Sequence, residues 1–266
     1  MHRRRSLSLG RFYYLLICFV LYLPILLLIL FSFNDATALV FPLKGFTLKW
    51  YGQMLENAEL LKALGNSILI GAGSSLVATL LGLMGALAIV RFKLPGRGLF
   101  LSIASLPLVI PYVILGVSLL ILYQEIGIPL SAFAAGMGHV VISVPYAMLI
   151  ISARLVGFPD NLEEAAMDLG ETYWGALRRV TIPICAPALL AAFLLCFTMS
   201  FDEFSISSFL VGTDATLPVY LYSQLRFPSR LPMVVALAAI LMTVTMGVML
   251  FSEWLRRADQ STPPKA

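Results

Sequence analysis

Six long runs without a charged residue dominate this sequence and constrain its fold more than any other feature. A helix that crosses a membrane needs about 20 predominantly apolar residues. Only 12% of the 266 residues are charged and 60% are hydrophobic, whereas soluble domains carry about twice that charged fraction. We therefore predict an all-α protein with six membrane-spanning helices in a single transmembrane domain over residues 1–266. The predicted spans are Phe12–Phe33, Ala63–Val90, Gly98–Gln124, Ile126–Ala153, Val180–Phe201 and Leu231–Ser252.

Two features predict how these spans are joined and bent. Between the third and fourth spans, Tyr123–Pro129 contains Gly127 and Pro129 and suits a tight hairpin at one membrane face. Prolines inside a span remove a helical hydrogen bond and can kink it. Such kinks fit a central pathway and ordinary packing equally well. The prolines are Pro107 and Pro111 in the third span, Pro145 in the fourth and Pro187 in the fifth.

Lysine and arginine lie mainly on one side of the predicted spans. That side holds thirteen: Arg3, Arg4, Arg5, Arg11, Arg91, Lys93, Arg97, Arg154, Arg178, Arg179, Arg256, Arg257 and Lys265. The other side holds five: Lys44, Lys49, Lys62, Arg226 and Arg230. Cytoplasmic loops carry the excess of Lys and Arg. We therefore predict a multi-pass membrane protein with both termini in the cytoplasm.

The two ends of the chain need separate interpretation. The basic start, the apolar run and the sequence Ala36-Thr37-Ala38 imitate a secretion signal. The run Phe12–Phe33 is 22 residues long, which exceeds a signal-peptide core of about 7–15 residues. We predict that it is retained as the first span. The tail, about residues 259–266, is predicted to be disordered.

Residues that carry metal or catalytic chemistry are few and scattered. The cysteines Cys18, Cys185 and Cys196 lie in apolar runs and form no C-x-x-C pair. The histidines His2 and His139 have no Cys or His at ligand spacing. The sequence contains no G-x-x-x-x-G-K-[ST] nucleotide loop. We predict no metal site, no catalytic residue and no cofactor in this chain, so energy for any transport must come from another protein.

One soluble, helix-like segment, DNLEEAAMDLGETYWGALRRV, interrupts the apolar sequence. Asp160 and Glu163 have the spacing of a capping box. Gly170 suits a left-handed helix end, and Thr172 can cap a second short helix that ends before Pro183. A shallow apolar face is predicted from residues at i, i+3, i+4 and i+7. These are Leu162, Ala165, Ala166 and Leu169.

Three roles are open for this segment. It can be a connecting loop on the membrane surface, a helix-turn-helix for DNA, or a docking helix for another protein. Its net charge of −2 and its tethering to the bilayer at both ends argue against nucleic acid, since phosphate binding needs a basic surface.

The same residues resemble the EAA loop of binding-protein-dependent ABC transporter permeases. The family pattern is E-A-A, three residues, G, nine residues and I-x-L-P. The matching positions are Glu164, Ala165, Ala166, Gly170 and Pro183. Val180 and Ile182 are conservative replacements. The resemblance, which covers nearly the whole chain, implies a type I importer permease fold. It also implies that the loop, about 154–183, forms a coupling helix for a cytoplasmic ATP-binding-cassette ATPase, which binds the ATP.

Two adjacent acids, Asp202 and Glu203, follow the fifth span. An ionised group in hydrocarbon costs several kcal/mol, so such residues usually face a cavity and mark a pathway. The alternative is a boundary pair that faces outer water. Adjacent helical positions point about 100° apart, so at most one acid can point into a shared pathway. Four nearby aromatic residues could offer ring faces to a cation. They are Phe201, Phe204, Tyr220 and Tyr222.

The sequences SFDEFSISSFLVG, TLPVYLYSQLR and VVALAAIL resemble the polyamine (spermidine/putrescine) branch of the family, and within it the second permease subunit. The resemblance implies a pathway between two permease chains, fed by an extracytoplasmic binding protein, with Asp202 and Glu203 on the substrate pathway. Branches for iron, thiamine, opines or amino-acid-like substrates share parts of these motifs. A secondary transporter or channel is the remaining alternative, and it would leave the Glu164–Gly170 helix without a function.

Overall fold

A computed structural model describes residues 3–37, 39–92, 95–157 and 161–260. Among these residues the secondary structure is helical, apart from one isolated bridge between Asn34 and Phe46, which confirms the all-α class. The helices are α1 Arg3–Ser32, α2 Lys49–Glu56, α3 Ala58–Val90, α4 Arg97–Ser105, α5 Tyr112–Glu125, α6 Ala132–Val156, α7 Asn161–Asp168, α8 Tyr173–Ala176, α9 Ile182–Phe201, α10 Ser205–Leu210, α11 Leu217–Gln224 and α12 Leu231–Gln260. Residues 261–266 of the predicted tail lie outside the described residues.

In the described part of the chain, five stretches are long and apolar enough to cross a membrane, and the number is six if one bent pair of helices counts as a span. The five are Leu9–Ser32, Ala58–Val90, Ala132–Val156, Tyr173–Phe201 and Pro228–Gly247. The predicted third span is not one straight helix, because Arg97–Leu108 and Tyr112–Glu125 meet at 100°. Pro111 explains the break, since it lacks an N–H group and disfavours the α conformation of the residue before it. Its own backbone is extended, with φ −57° and ψ 131°.

The turn between α5 and α6 has the predicted character. Gly127 takes the left-handed conformation with φ +74°, which glycine adopts without steric cost. The fourth span begins at Ala132, later than the predicted Ile126, because Ser131 caps α6. The Ser131 hydroxyl accepts a hydrogen bond from the backbone N–H of Ala134 at 3.3 Å.

Internal contacts divide the chain into a terminal part, residues 1–58 with 221–266, and a central part, residues 59–220. In the terminal part, α1 and α2 both pack against α12. The segment between α1 and α2 is held by Trp50, whose indole N–H donates to the carbonyl of Asn34 at 2.8 Å. The Ser32 and Tyr51 hydroxyls lie 2.6 Å apart.

In the central part, α6 packs along α9, and α10 packs against α5 and α6. Small residues permit close approach of α3 to α6, as is common between membrane helices. A Cβ added at Gly82 would lie 2.6 Å from the Cβ of Ala147. Buried apolar side chains such as Met148, Ile151 and Leu155 complete this core.

The second helix of the soluble segment does not end before Pro183, contrary to the prediction. The chain runs from α8 through a π turn, Leu177–Thr181, directly into α9, so the helical stretch that contains the fifth span begins at Tyr173. Pro183 occupies the first turn of α9. A proline at this place would clash with the carbonyl four residues earlier in a regular helix. The wider π turn relieves that conflict.

Candidate functional site

The soluble segment forms two helices that meet at a glycine, as predicted. Gly170 has φ +93°, a backbone conformation that favours glycine. Thr172 caps the second helix, since its hydroxyl accepts from the backbone N–H of Gly175 at 3.1 Å. Asp160, the proposed partner of Glu163 in a capping box, lies outside the described residues. The predicted N-terminal cap therefore stays a prediction.

The predicted apolar face of this segment is not buried within the chain. Leu162 is 42% exposed and Leu169 is 89% exposed. Trp174 on the second helix is 70% exposed. Glu164 and Ala165 are also exposed, and Ala166 is half-buried. The segment therefore presents an apolar surface with an acid beside it, which suits a protein partner.

Glu163, in contrast, is buried. One carboxylate oxygen lies 3.3 Å from Nε of Arg91, just after the end of α3. The hydroxyl of Thr181, at the end of the π turn, donates to the same oxygen. Sequence reasoning missed both partners, because contacts between residues so distant in sequence leave no local pattern.

The two acids after the fifth span have different environments. Asp202 is exposed at the end of α9. Glu203 is buried, and its carboxylate accepts hydrogen bonds from the backbone N–H groups of Ile206, at 2.8 Å, and Ser207, at 2.9 Å. These N–H groups lie in the first turn of α10 and have no partner within the helix. A carboxylate that accepts from them stabilises the start of the helix. Glu203 is therefore a helix cap, whereas Asp202 is accessible.

His139 is the residue of this site that sequence reasoning missed. Its Nε2 lies 3.3 Å from the Glu203 carboxylate and 2.9 Å from the Ser207 hydroxyl. Its Nδ1 lies 2.6 Å from the Ser200 hydroxyl, which lies 3.0 Å from that of Ser74. All five side chains are buried. A lone histidine inside an apolar span was the available signal, since polar residues there face other polar groups.

The surroundings shift the pKa values of Asp202 and Glu203 in opposite directions. Partial loss of water around Asp202 raises the pKa of its carboxyl. For Glu203, burial raises the pKa, but contacts with His139 and with the N–H groups of Ile206 and Ser207 outweigh it and hold the pKa below its usual value. The lowered pKa favours the ionised form of Glu203, whereas the raised pKa makes its neighbour Asp202 easier to protonate.

The four aromatic residues named in the sequence differ in burial. Phe201 and Phe204 are half-buried in the central part, and Phe201 stacks on Phe197 with ring centroids 6.0 Å apart. Tyr220 is buried, and Tyr222 belongs to the terminal part. Phe201 and Phe204 thus lie directly beside the two acids in the chain.

A family described as the binding-protein-dependent transport system inner membrane component matches residues 78–258. The chain belongs to this family. Both the EAA segment and the acid pair lie inside the matched region. The chain is thus a membrane-spanning permease subunit of an ABC importer, and not an enzyme.

This permease is similar to known transport proteins over most of its length. It is 36% identical over 250 residues to the putrescine transport system permease protein PotI of Escherichia coli strain K12, covering 90% of this chain and 88% of that one. It is 32% identical over 238 residues to the spermidine/putrescine transport system permease protein PotC of the same strain, covering 89% of each. The Haemophilus influenzae PotC is 32% identical over 241 residues, covering 90% of this chain and 93% of that one.

Solved structures show the same fold. A bacterial ABC transporter that imports the acidic polysaccharide alginate superposes with a TM-score of 0.72 at 16% identity, covering 96% of this permease and 98% of that chain. The alginate transporter in complex with its pentasaccharide-bound periplasmic protein gives a TM-score of 0.72 at 17% identity, covering 98% and 97%. The importer permease fold is thereby confirmed.

Proposed function

We propose that this permease forms part of an importer for polyamines such as spermidine and putrescine. The observation that carries the proposal is the 32–36% identity, over about nine-tenths of the chain, to permeases named for spermidine/putrescine and putrescine transport. The chemistry of the acid pair supports it. A polyamine carries several ammonium groups, and two adjacent carboxylates at the end of a span provide the complementary charge.

Asp202 is the acid that we assign to the pathway. It is exposed, whereas Glu203 is already engaged by His139 and by α10. We assign Glu203 the supporting role of fixing the chain after α9 and adding a permanent negative charge. Both acids thus contribute to the proposed pathway, Asp202 by facing it and Glu203 by supporting the structure and charge beside it.

The soluble segment is proposed to couple the permease to a cytoplasmic ATP-binding-cassette ATPase. Its exposed apolar residues and Glu164 form a surface that fits a groove, with Ala165 and Ala166 allowing close approach and Gly170 setting the turn. ATP binds to that partner, and this chain needs no cofactor. The segment then lies in the cytoplasm together with both termini, in agreement with the distribution of Lys and Arg.

Two further partners complete the proposed importer. A second permease chain forms the pathway together with this one. An extracytoplasmic binding protein delivers the substrate, as a periplasmic protein does in the complex of the alginate transporter.

The test is uptake of radiolabelled putrescine, spermidine and an iron chelate by cells with and without this gene. We expect polyamine uptake to depend on the gene and iron uptake to be independent of it. Gene-dependent uptake of the iron chelate with unchanged polyamine uptake would overturn the substrate assignment.

A further inference from the structure

The coupling helix α7 is attached to the rest of the central part by the carboxylate of Glu163. Glu163 is the buried residue of α7, with a side chain 9% exposed, whereas Leu162 faces outward. A surface helix ordinarily buries its apolar stripe and exposes its charges. Leu162 and Glu163 reverse that pattern in α7, while Glu164 and Asp168 are exposed. The exposed Leu162 therefore stays available to a protein partner, and the charge of Glu163 lies at the contact between α7 and the rest of the chain.

The partners of Glu163 belong to two different spans. Arg91 directly follows α3, and its side chain is 6% exposed. Thr181 ends the π turn that leads into α9, and it is 1% exposed. Arg91 approaches the carboxylate through Nε at 3.3 Å, while the Thr181 hydroxyl donates a hydrogen bond to it. One buried carboxylate thus joins α7 to the ends of both spans.

We propose that Glu163 is the positioning residue through which displacement of α7 is transmitted to α3 and α9. The inference rests on the proposed coupling function. Apolar contacts are non-directional and can slide, whereas the hydrogen bond from the Thr181 hydroxyl to the Glu163 carboxylate is charge-assisted and directional, and Arg91 adds an ion pair. A buried charge that loses its partner is strongly unfavourable. The helix α7 therefore moves with Arg91 and Thr181 rather than away from them, and a push on α7 reaches both spans.

Two mild substitutions test this link in the complete transporter, reconstituted in vesicles with its ATPase and binding protein. Glu163→Gln removes the charge and keeps the shape, and Thr181→Val removes the hydroxyl donor from a β-branched side chain. Asp214→Asn is the control, because it also neutralises an acid but breaks the exposed Lys62–Asp214 pair, which lies outside the soluble segment. The readouts are ATPase retained on purification, ATP hydrolysed, and radiolabelled spermidine transported for each ATP.

We expect Glu163→Gln to retain the ATPase and hydrolyse ATP while transporting roughly tenfold less spermidine for each ATP. Thr181→Val should show a smaller loss, and the control none. An unchanged ratio in both variants would overturn the inference. So would a loss of uptake that matches a loss of folded transporter, since that outcome indicates a purely structural role. If Glu164→Lys also keeps both ATPase binding and uptake, the proposed coupling function itself fails.

Discussion

His139 and Glu203 are buried partners, with Nε2 of the histidine 3.3 Å from the carboxylate of the acid. They join α6 to the segment between α9 and α10, next to the exposed Asp202, the acid that we propose for the substrate pathway. The histidine therefore fixes the local structure beside Asp202.

His139→Ala should destabilise the permease. The substitution leaves Glu203 and the Ser200 hydroxyl without one of their partners, and a buried group left unsatisfied costs about 1–3 kcal/mol. The free energy of unfolding of the purified protein in detergent measures the effect. Ser118→Ala is the control, because that exposed hydroxyl bonds only to the carbonyl of Ile114 in its own helix. Equal stability of His139→Ala and the control would contradict the prediction.

Gly82→Ala should disturb the contact between α3 and α6. The added Cβ would lie 2.6 Å from the Cβ of Ala147 and 2.8 Å from the backbone nitrogen of Met148, so the helices must separate. Overpacking of this kind costs about 1–3 kcal/mol. Gly65→Ala, in the same helix, meets no atom within 4 Å and should be neutral or slightly stabilising. Thermal unfolding of both variants in detergent gives the comparison, and a Gly82→Ala protein as stable as Gly65→Ala would refute the packing argument.

The coupling surface should be needed for transport and dispensable for insertion. Gly170→Ala strains a backbone with φ +93°, and Glu164→Lys reverses an exposed charge beside the apolar surface. Both variants should insert normally and lose ATPase binding and ATP-dependent uptake. Gly157→Ala is the matched control, since its glycine has φ −83° and a Cβ there makes only ordinary contact at 3.8 Å. Normal uptake by both test variants would exclude the coupling role.

The proposed orientation predicts a labelling pattern in intact cells. In a background without Cys18, Cys185 and Cys196, single cysteines at Gly96 or Thr172 should resist a membrane-impermeant thiol reagent. Cysteines at Asn57 or Thr213 should react. Permeabilised cells provide the control, because all four positions should then be labelled. Labelling of Thr172 in intact cells would invert the topology and place the coupling segment away from the ATPase.

The sequence predicts the spans well because lipid imposes one dominant requirement, a run of about 20 apolar residues. Gly170 and Thr172 were also predictable, since helix ends depend on neighbouring residues. The 100° bend was only partly predictable: Pro111 indicates a break, but its angle depends on the helices around it.

The partners of Glu163 and Glu203 could not be predicted. Each pair joins residues from separate helices, and packing of those helices decides which side chains meet. Local spacing predicts a cap for Glu163, and it gives no indication of the contact between its carboxylate and Arg91. The same limit explains why His139 was interpreted only as a histidine without ligand neighbours.

The central claim is that Asp202 meets an ammonium group of the substrate, and uptake by Asp202→Asn tests it most directly. The substitution keeps the size of the side chain and removes its charge. A hydrogen bond to a charged group contributes about 1.5–3 kcal/mol, which corresponds to roughly one to two decades in transport efficiency. Asp214→Asn is the control, because that acid pairs with Lys62 at 3.2 Å in the same part of the chain. We predict that radiolabelled spermidine uptake falls about 10- to 100-fold in Asp202→Asn, with a smaller loss for putrescine, ATPase binding intact and Asp214→Asn near normal. Spermidine uptake at the normal rate by Asp202→Asn would contradict the account.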